Sequence, residues 1–128
     1  MMRRAAVVLC AVLAACSHRP ENAVEAGRRA STYPDFADAT IPPNVAPLNF
    51  QVLENGQQYS VRVSGASGEA IEVSGSRIDL PAERWRALLA ANRGGEIRTD
   101  IYTRTAGAWT HFETVRNRVA SDDIDPYV

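Results

Sequence analysis

The chain has no lysine: its 14 basic residues are all arginine, set against 15 acidic residues for a formal net charge of −1. Nucleic-acid phosphates require a surplus of positive charge, so this balance gives no support for a nucleic-acid partner. Cysteine is scarce, with Cys10 and Cys16 only, and aromatic residues make up 7% of the chain. Histidine occurs twice, as His18 and His111. No serine sits in a Gly-x-Ser-x-Gly elbow, and no Lys-Ser/Thr follows a glycine-rich loop at Walker spacing. The apolar run near the start is too short to cross a bilayer. With 128 residues, 45% of them hydrophobic, the sequence predicts one small globular domain rather than a disordered chain.

Residues 1–15 carry the marks of a secretory signal peptide. Arg3 and Arg4 supply a positive start, and Ala5 to Ala15 form an apolar run of 11 residues. The run ends Leu13-Ala14-Ala15-Cys16, which resembles the lipobox of bacterial lipoproteins. That resemblance implies cleavage before Cys16 and acylation of its thiol. Small residues before the cut suit a narrow protease site, and the thiol is the nucleophile that accepts the lipid. Several acyl chains would make attachment stable, since each buried CH2 is worth about 0.8 kcal/mol. Cys10 leaves with the leader and Cys16 is lipidated, so the mature chain is expected to have no disulfide, thiol redox chemistry or cysteine-bound metal. Removal of Arg3 and Arg4 leaves 12 arginines against 15 acids, a net of −3. Ser17, rather than Asp, follows the lipid site. By resemblance to lipoprotein sorting in Gram-negative bacteria, this favours the outer membrane over the inner one.

Residues 16–34 read as a flexible tether, with a brief helical turn near Glu21 to Arg29, and residues 35–128 as a β-rich domain with a proline-rich lead-in. Pro42, Pro43 and Pro47 remove backbone donors and hold their predecessors extended. From Leu48 the apolar period is two: Leu48, Phe50 and Val52; Tyr59, Val61 and Val63; Ile71 and Val73; Ile78 and Leu80. These segments predict strands with one wet face. Glu54-Asn55-Gly56 and Gly65 to Gly68 supply turns. Pro81 to Ala91 predicts a helix, with proline in its first turn and Trp85, Leu88 and Leu89 on one face. Asn92-Arg93-Gly94-Gly95 stops it. A helix of three turns is marginal alone and must cover part of the sheet. Ile97 to Thr103 alternate again, Gly107 turns the chain, and Trp109 to Val115 form a last strand whose broken period suggests a bulge. Arg116 to Val128 read as an exit segment. The sum is a mainly β fold, a small Ig-like β-sandwich of about six strands with one short helix.

The run Tyr33-Pro34-Asp35-Phe36, then Thr40-Ile41-Pro42-Pro43-Asn44-Val45-Ala46-Pro47-Leu48-Asn49-Phe50, resembles the start of a family of Bacteroidetes envelope lipoproteins. The likeness continues at Trp85, Leu88 and Asn92, and returns at Trp109, Phe112, Asn117, Val119 and Asp125-Pro126-Tyr127-Val128. In that family a small β-rich domain precedes a TolB-like propeller, and no catalytic residues are carried over. The resemblance implies a cell-envelope protein whose N-terminal domain alone is matched. It leaves open a fragment of a longer propeller protein or a domain that works alone.

Candidates for chemistry are few. His111 is a strand residue that Glu113 could pair with. A triad would need a nucleophile and an acid besides it, and Ser60, Ser64, Ser67, Ser74 and Ser76 offer no recognisable arrangement. Asp122, Asp123 and Asp125 lack the ligand spacing of an EF-hand. Arg98, Arg104, Arg116 and Arg118 read as a mixed solvated face. Trp85 reads as core, whereas Trp109, just after a turn, is the candidate for stacking a ligand. No cofactor or metal is implied. Two functions are expected: a non-catalytic, lipid-anchored module that docks onto an envelope protein or its own missing propeller, or a carbohydrate or peptidoglycan binding module built on Trp109. An exposed Trp109 beside a groove would favour the second, and an apolar patch near Val119 to Val128 the first.

Overall fold

Alternate burial along extended segments builds this fold, and one long strand organises it. The computed structural model describes residues 20–124, in which the elements run β1 (Val24–Glu25), β2 (Thr32–Tyr33), β3 (Thr40–Ile41), β4 (Phe50–Val52), β5 (Gln58–Ser64), β6 (Ala70–Ser74), β7 (Arg77–Ile78), α1 (Ala82–Ala91), β8 (Glu96–Thr105), β9 (Ala108–His111) and β10 (Val115–Val119). The leader 1–15, the lipidation candidate Cys16, His18 and the C-terminal residues from Asp125 lie outside the described residues.

Seven strands form the larger sheet. β8 pairs antiparallel with β5 along most of its length, from Arg98 to Arg104. Its other side is shared, with β10 against Glu96 to Thr99 and β9 against Tyr102 to Thr105. β1 joins β9 and β3 joins β10, both parallel, while β6 forms an antiparallel hairpin with β5. The smaller sheet is antiparallel in the order β2-β4-β7. One face of β8 presents Ile97, Thr99, Ile101 and Thr103, all buried. Val61, Val63, Ile71, Phe50, Val52, Ile78 and the helix residues Trp85, Leu88 and Leu89 complete a single core. The fold is therefore mainly β, with one helix.

Four expected strands lie where the period placed them, at β4, β5, β6 and β7, as do the helix and β8. The expected six strands become ten among the described residues. Val24–Glu25 and Thr32–Tyr33, within the stretch read as tether, are hydrogen-bonded into the two sheets. Trp109 to Val115 is not one strand: the chain leaves β9 after His111 and re-enters as β10 at Val115. In the break Phe112 N–H donates to Ile101 O at 3.0 Å, and Glu113 N–H donates to Arg28 O at 2.9 Å. Arg116 to Val119, read as exit, belong to β10. Their apolar stripe is interrupted by Asn117, which is buried because its amide donates to Phe36 O at 2.8 Å and Ala39 O at 3.0 Å. A polar side chain can occupy a core position when it is hydrogen-bonded there.

The β8–β9 hairpin turns on Ala106 and Gly107, with φ of 51° and 79°. Two successive positive φ values define the tight turn that suits Asn-Gly, and alanine pays a steric penalty there. Ala106→Asn is expected to raise the unfolding free energy by about 1 kcal/mol, visible as a melting temperature higher by roughly 4–8 °C. An unchanged or lower melting temperature in a thermal scan would contradict this account of the turn.

Candidate functional site

The other face of the larger sheet carries the residues opposite in phase to the core. On β8 these are Arg98, Asp100, Tyr102 and Arg104. Register places Glu72 of β6 opposite Arg62 of β5, Arg62 opposite Asp100, His111 of β9 opposite Tyr102, and Glu25 of β1 opposite His111. Five strands thus contribute a row of alternating charge: Glu72, Arg62, Asp100, His111, Glu25.

The centre of this row is tightly bonded. His111 Nδ1 lies 2.9 Å from both carboxylate oxygens of Glu25, and its Nε2 lies 2.9 Å from Asp100 Oδ1. Thr114 Oγ1 donates to the same Asp100 oxygen at 2.6 Å. Tyr102 stacks on the imidazole with ring centroids 4.6 Å apart. Arg62 Nη1 reaches Glu72 Oε1 at 3.6 Å. Burial is the largest single influence on His111 and pushes its pKa down. The hydrogen bonds and charges of Glu25 and Asp100 together outweigh it, so the pKa is raised above 6.5. The imidazolium form donates from both ring nitrogens. While the ring is protonated neither nitrogen can take up a proton, and the Thr114 hydroxyl donates to Asp100 instead of His111. The raised pKa favours the protonated ring, whose two bonds tie β1, β8 and β9 together.

The expected pairing of His111 with Glu113 is corrected by this geometry. The strand breaks at Phe112, which removes Glu113 from the face of His111, and Glu25 and Asp100 take the two ring nitrogens. Glu25 is 86 residues away in sequence and Asp100 is 11 away, so local spacing could not find the former. The alternation from Ile97 to Thr103 leaves Asp100 and Tyr102 on the opposite face of β8, the one local signal for this cluster.

Trp109 is half-buried, and the Arg104 guanidinium lies over its ring at 5.9 Å from the centroid. Trp85 is buried in the core. Glu96 sits between Arg116 at 2.9 Å and Arg98 at 3.6 Å, so the arginines of this face are interleaved with an acid. Asp123 pairs with Arg93 at 2.9 Å. Among the described residues no group of three or more histidine, cysteine or acidic side chains could hold a metal ion, and no helix is long and apolar enough to cross a membrane.

A second feature lies at the far edge of the same sheet. β6 pairs with β5 alone among the described residues. Gly65 N–H bonds Glu69 O and Gly75 N–H bonds Tyr59 O, so antiparallel alternation turns the backbone groups of Ala70, Glu72 and Ser74 away from β5. Beside this edge runs a groove of about 400 Å³, lined by Ala70, Ile71, Ala87, Leu88 and Ala91, with Glu69 and Arg84 at its rim. Ala87, Leu88 and Ala91 form one stripe of α1, and the two alanines keep the groove open. Arg84 Nη2 donates to Ala70 O at 2.7 Å, in the place where a neighbouring strand would offer an N–H.

The chain matches no protein-family model, no curated protein and no solved structure.

Proposed function

We propose that this chain is a non-catalytic, lipid-anchored module of the cell envelope, held to the outer membrane through Cys16, that docks an extended segment of an envelope protein. The Leu13-Ala14-Ala15-Cys16 run supports the anchor. The single observation that carries the docking reading is the edge of β6, which no strand beyond β5 pairs among the described residues, beside the apolar groove of α1. Outward backbone groups of an edge strand are satisfied by another extended chain, and alternate side chains of that chain then enter the adjoining groove. Arg84 complements an acidic side chain of the partner, which would release Ala70 O to a partner N–H. The body reads as a small sandwich in which the lesser sheet and α1 close the core face of the larger sheet. The N-terminal likeness to propeller-bearing lipoproteins suits the same envelope setting.

Glycan stacking on Trp109 is the less favoured reading, because Arg104 already covers one face of the ring. The decisive experiment places a photo-crosslinking residue at Ala87 in envelope-embedded protein and maps the crosslinked peptide. A crosslink to one extended, acid-containing segment is expected, and both Glu72→Pro, which removes an outward N–H, and Arg84→Glu should weaken it at least about tenfold. Crosslinking insensitive to both changes, or peptidoglycan binding that Trp109→Ala abolishes, would overturn the docking reading. Intact mass of the extracted protein should show diacylglycerol on the Cys16 sulfur.

A further inference from the structure

We infer that Glu25, His111 and Asp100 form a pH-operated latch that fastens β1 to the sheet in acid and releases it as the pH rises. β1 is two residues long, and a pairing that short has little stability of its own. Its side-chain fastening to β9 is the contact of Glu25 with His111 Nδ1, beside the backbone bond from Ala26 N–H to His111 O at 2.9 Å.

The two carboxylates are unequal. The Asp100 side chain is 13% exposed and also accepts from Thr114, whereas Glu25 is 71% exposed. When the imidazolium loses a proton, one ring nitrogen becomes an acceptor and must face a carboxylate. Leaving Asp100 without its donor would strand a buried charge, while water readily solvates Glu25. The remaining proton therefore stays on Nε2, and the Nδ1 lone pair meets the Glu25 carboxylate. That contact becomes repulsive, and β1 is the element free to move.

The charged and titratable surroundings agree with this direction. Tyr102 of β8 stacks on the ring, and Arg62 of β5 stands opposite Asp100 on the same face. Arg104 and Trp109 occupy the next register pair. Beyond β9, Glu113 is exposed, with its N–H on Arg28 O, and the Arg28 guanidinium lies over Phe112 at 5.1 Å while pairing with Glu54. Among the described residues, His111 is the cationic group in contact with Glu25. Because the His111 pKa is raised in the folded state, the latch is fully effective below about 6.5 and is lost as pH rises through the higher folded value.

The consequence for placement rests on the lipid-anchor reading above. β1 is the first strand among the described residues after Cys16, and its latched state holds the chain at Val24. With β1 released the first held point among the described residues becomes Arg28, paired with Glu54, and the four steps from Val24 to Arg28 allow at most roughly 13 Å of added reach. Alkaline conditions would let the body stand further from its anchor.

Amide hydrogen exchange on the full mature chain tests the latch without reference to the anchor. After correction for intrinsic exchange, protection of the Ala26 amide should fall about tenfold between pH 5.5 and 8.5, in step with the imidazole shift of His111. Val63, in the core of β5, should keep its protection. His111→Asn and Glu25→Gln should each abolish the pH dependence at Ala26 while leaving Val63 unchanged. Ala26 protection that ignores pH, or that falls equally in His111→Asn, would overturn the latch. An unmodified Cys16 by intact mass would overturn the anchor and leave the latch standing.

Discussion

Trp85→Ala should lower the unfolding free energy by about 4 kcal/mol, the largest loss expected from any single substitution in this domain. Trp85 is 2% exposed and lies with Leu88 and Leu89 on the face of α1 buried in the core. Its indole N–H donates to Val45 O at 3.1 Å. The substitution therefore opens a large cavity and strips a carbonyl of the proline-rich segment of its donor. Small domains have only about 5–15 kcal/mol in total, so the variant should stand close to its unfolding threshold. Trp85→Phe separates the two contributions. Most of the ring volume returns, the N–H does not, and a loss of about 1–2 kcal/mol is expected. Urea titration followed by circular dichroism measures both. A Trp85→Ala loss below about 1 kcal/mol would mean that α1 is not a keystone of the core.

The legibility of this fold follows burial geometry. β5 and β8 bury one face along most of their length, so Val61, Val63, Ile97 and Ile101 stand in period two and the strands are plain in the sequence. The helix is plain for the same reason at its own period. β1, β2 and β3 are each two residues long. A dipeptide has no period, and its strand character comes wholly from the partner across the ladder. β10 does alternate, as Val115, Asn117 and Val119, but its central position is an asparagine whose burial depends on carbonyls about 80 residues away. The cluster around His111 was illegible in the same way. Its members come from β1, β8, β9 and the break before β10, and only the folded register brings them to one ring.

A second large effect is expected where the helix meets the β5–β6 hairpin. Asn92 ends α1 and is buried. Its Nδ2 donates to Leu88 O and to Glu69 Oε1, each at 2.8 Å, and its Oδ1 accepts from Ala66 N–H at 3.1 Å. The space for this amide exists because residue 65 has no side chain. A Cβ on Gly65 would lie 2.7 Å from Asn92 Cγ and 2.5 Å from Glu69 Oε1, and would overlap Asn92 Nδ2. Gly65→Ala must therefore expel Asn92 or shift the hairpin, at a cost of about 3 kcal/mol. Asn92→Ala leaves the Ala66 N–H without its partner and should cost about 2 kcal/mol. The two losses should not add. Once Asn92 is truncated, the new methyl group has room and the Glu69 side chain is free to swing away. The double variant should then be within about 1 kcal/mol of Asn92→Ala alone, a coupling that denaturant titration of all four proteins measures directly. Additive losses would show that Gly65 is required for the path of its own backbone, and that the buried amide does not bind the helix to the β5–β6 turn.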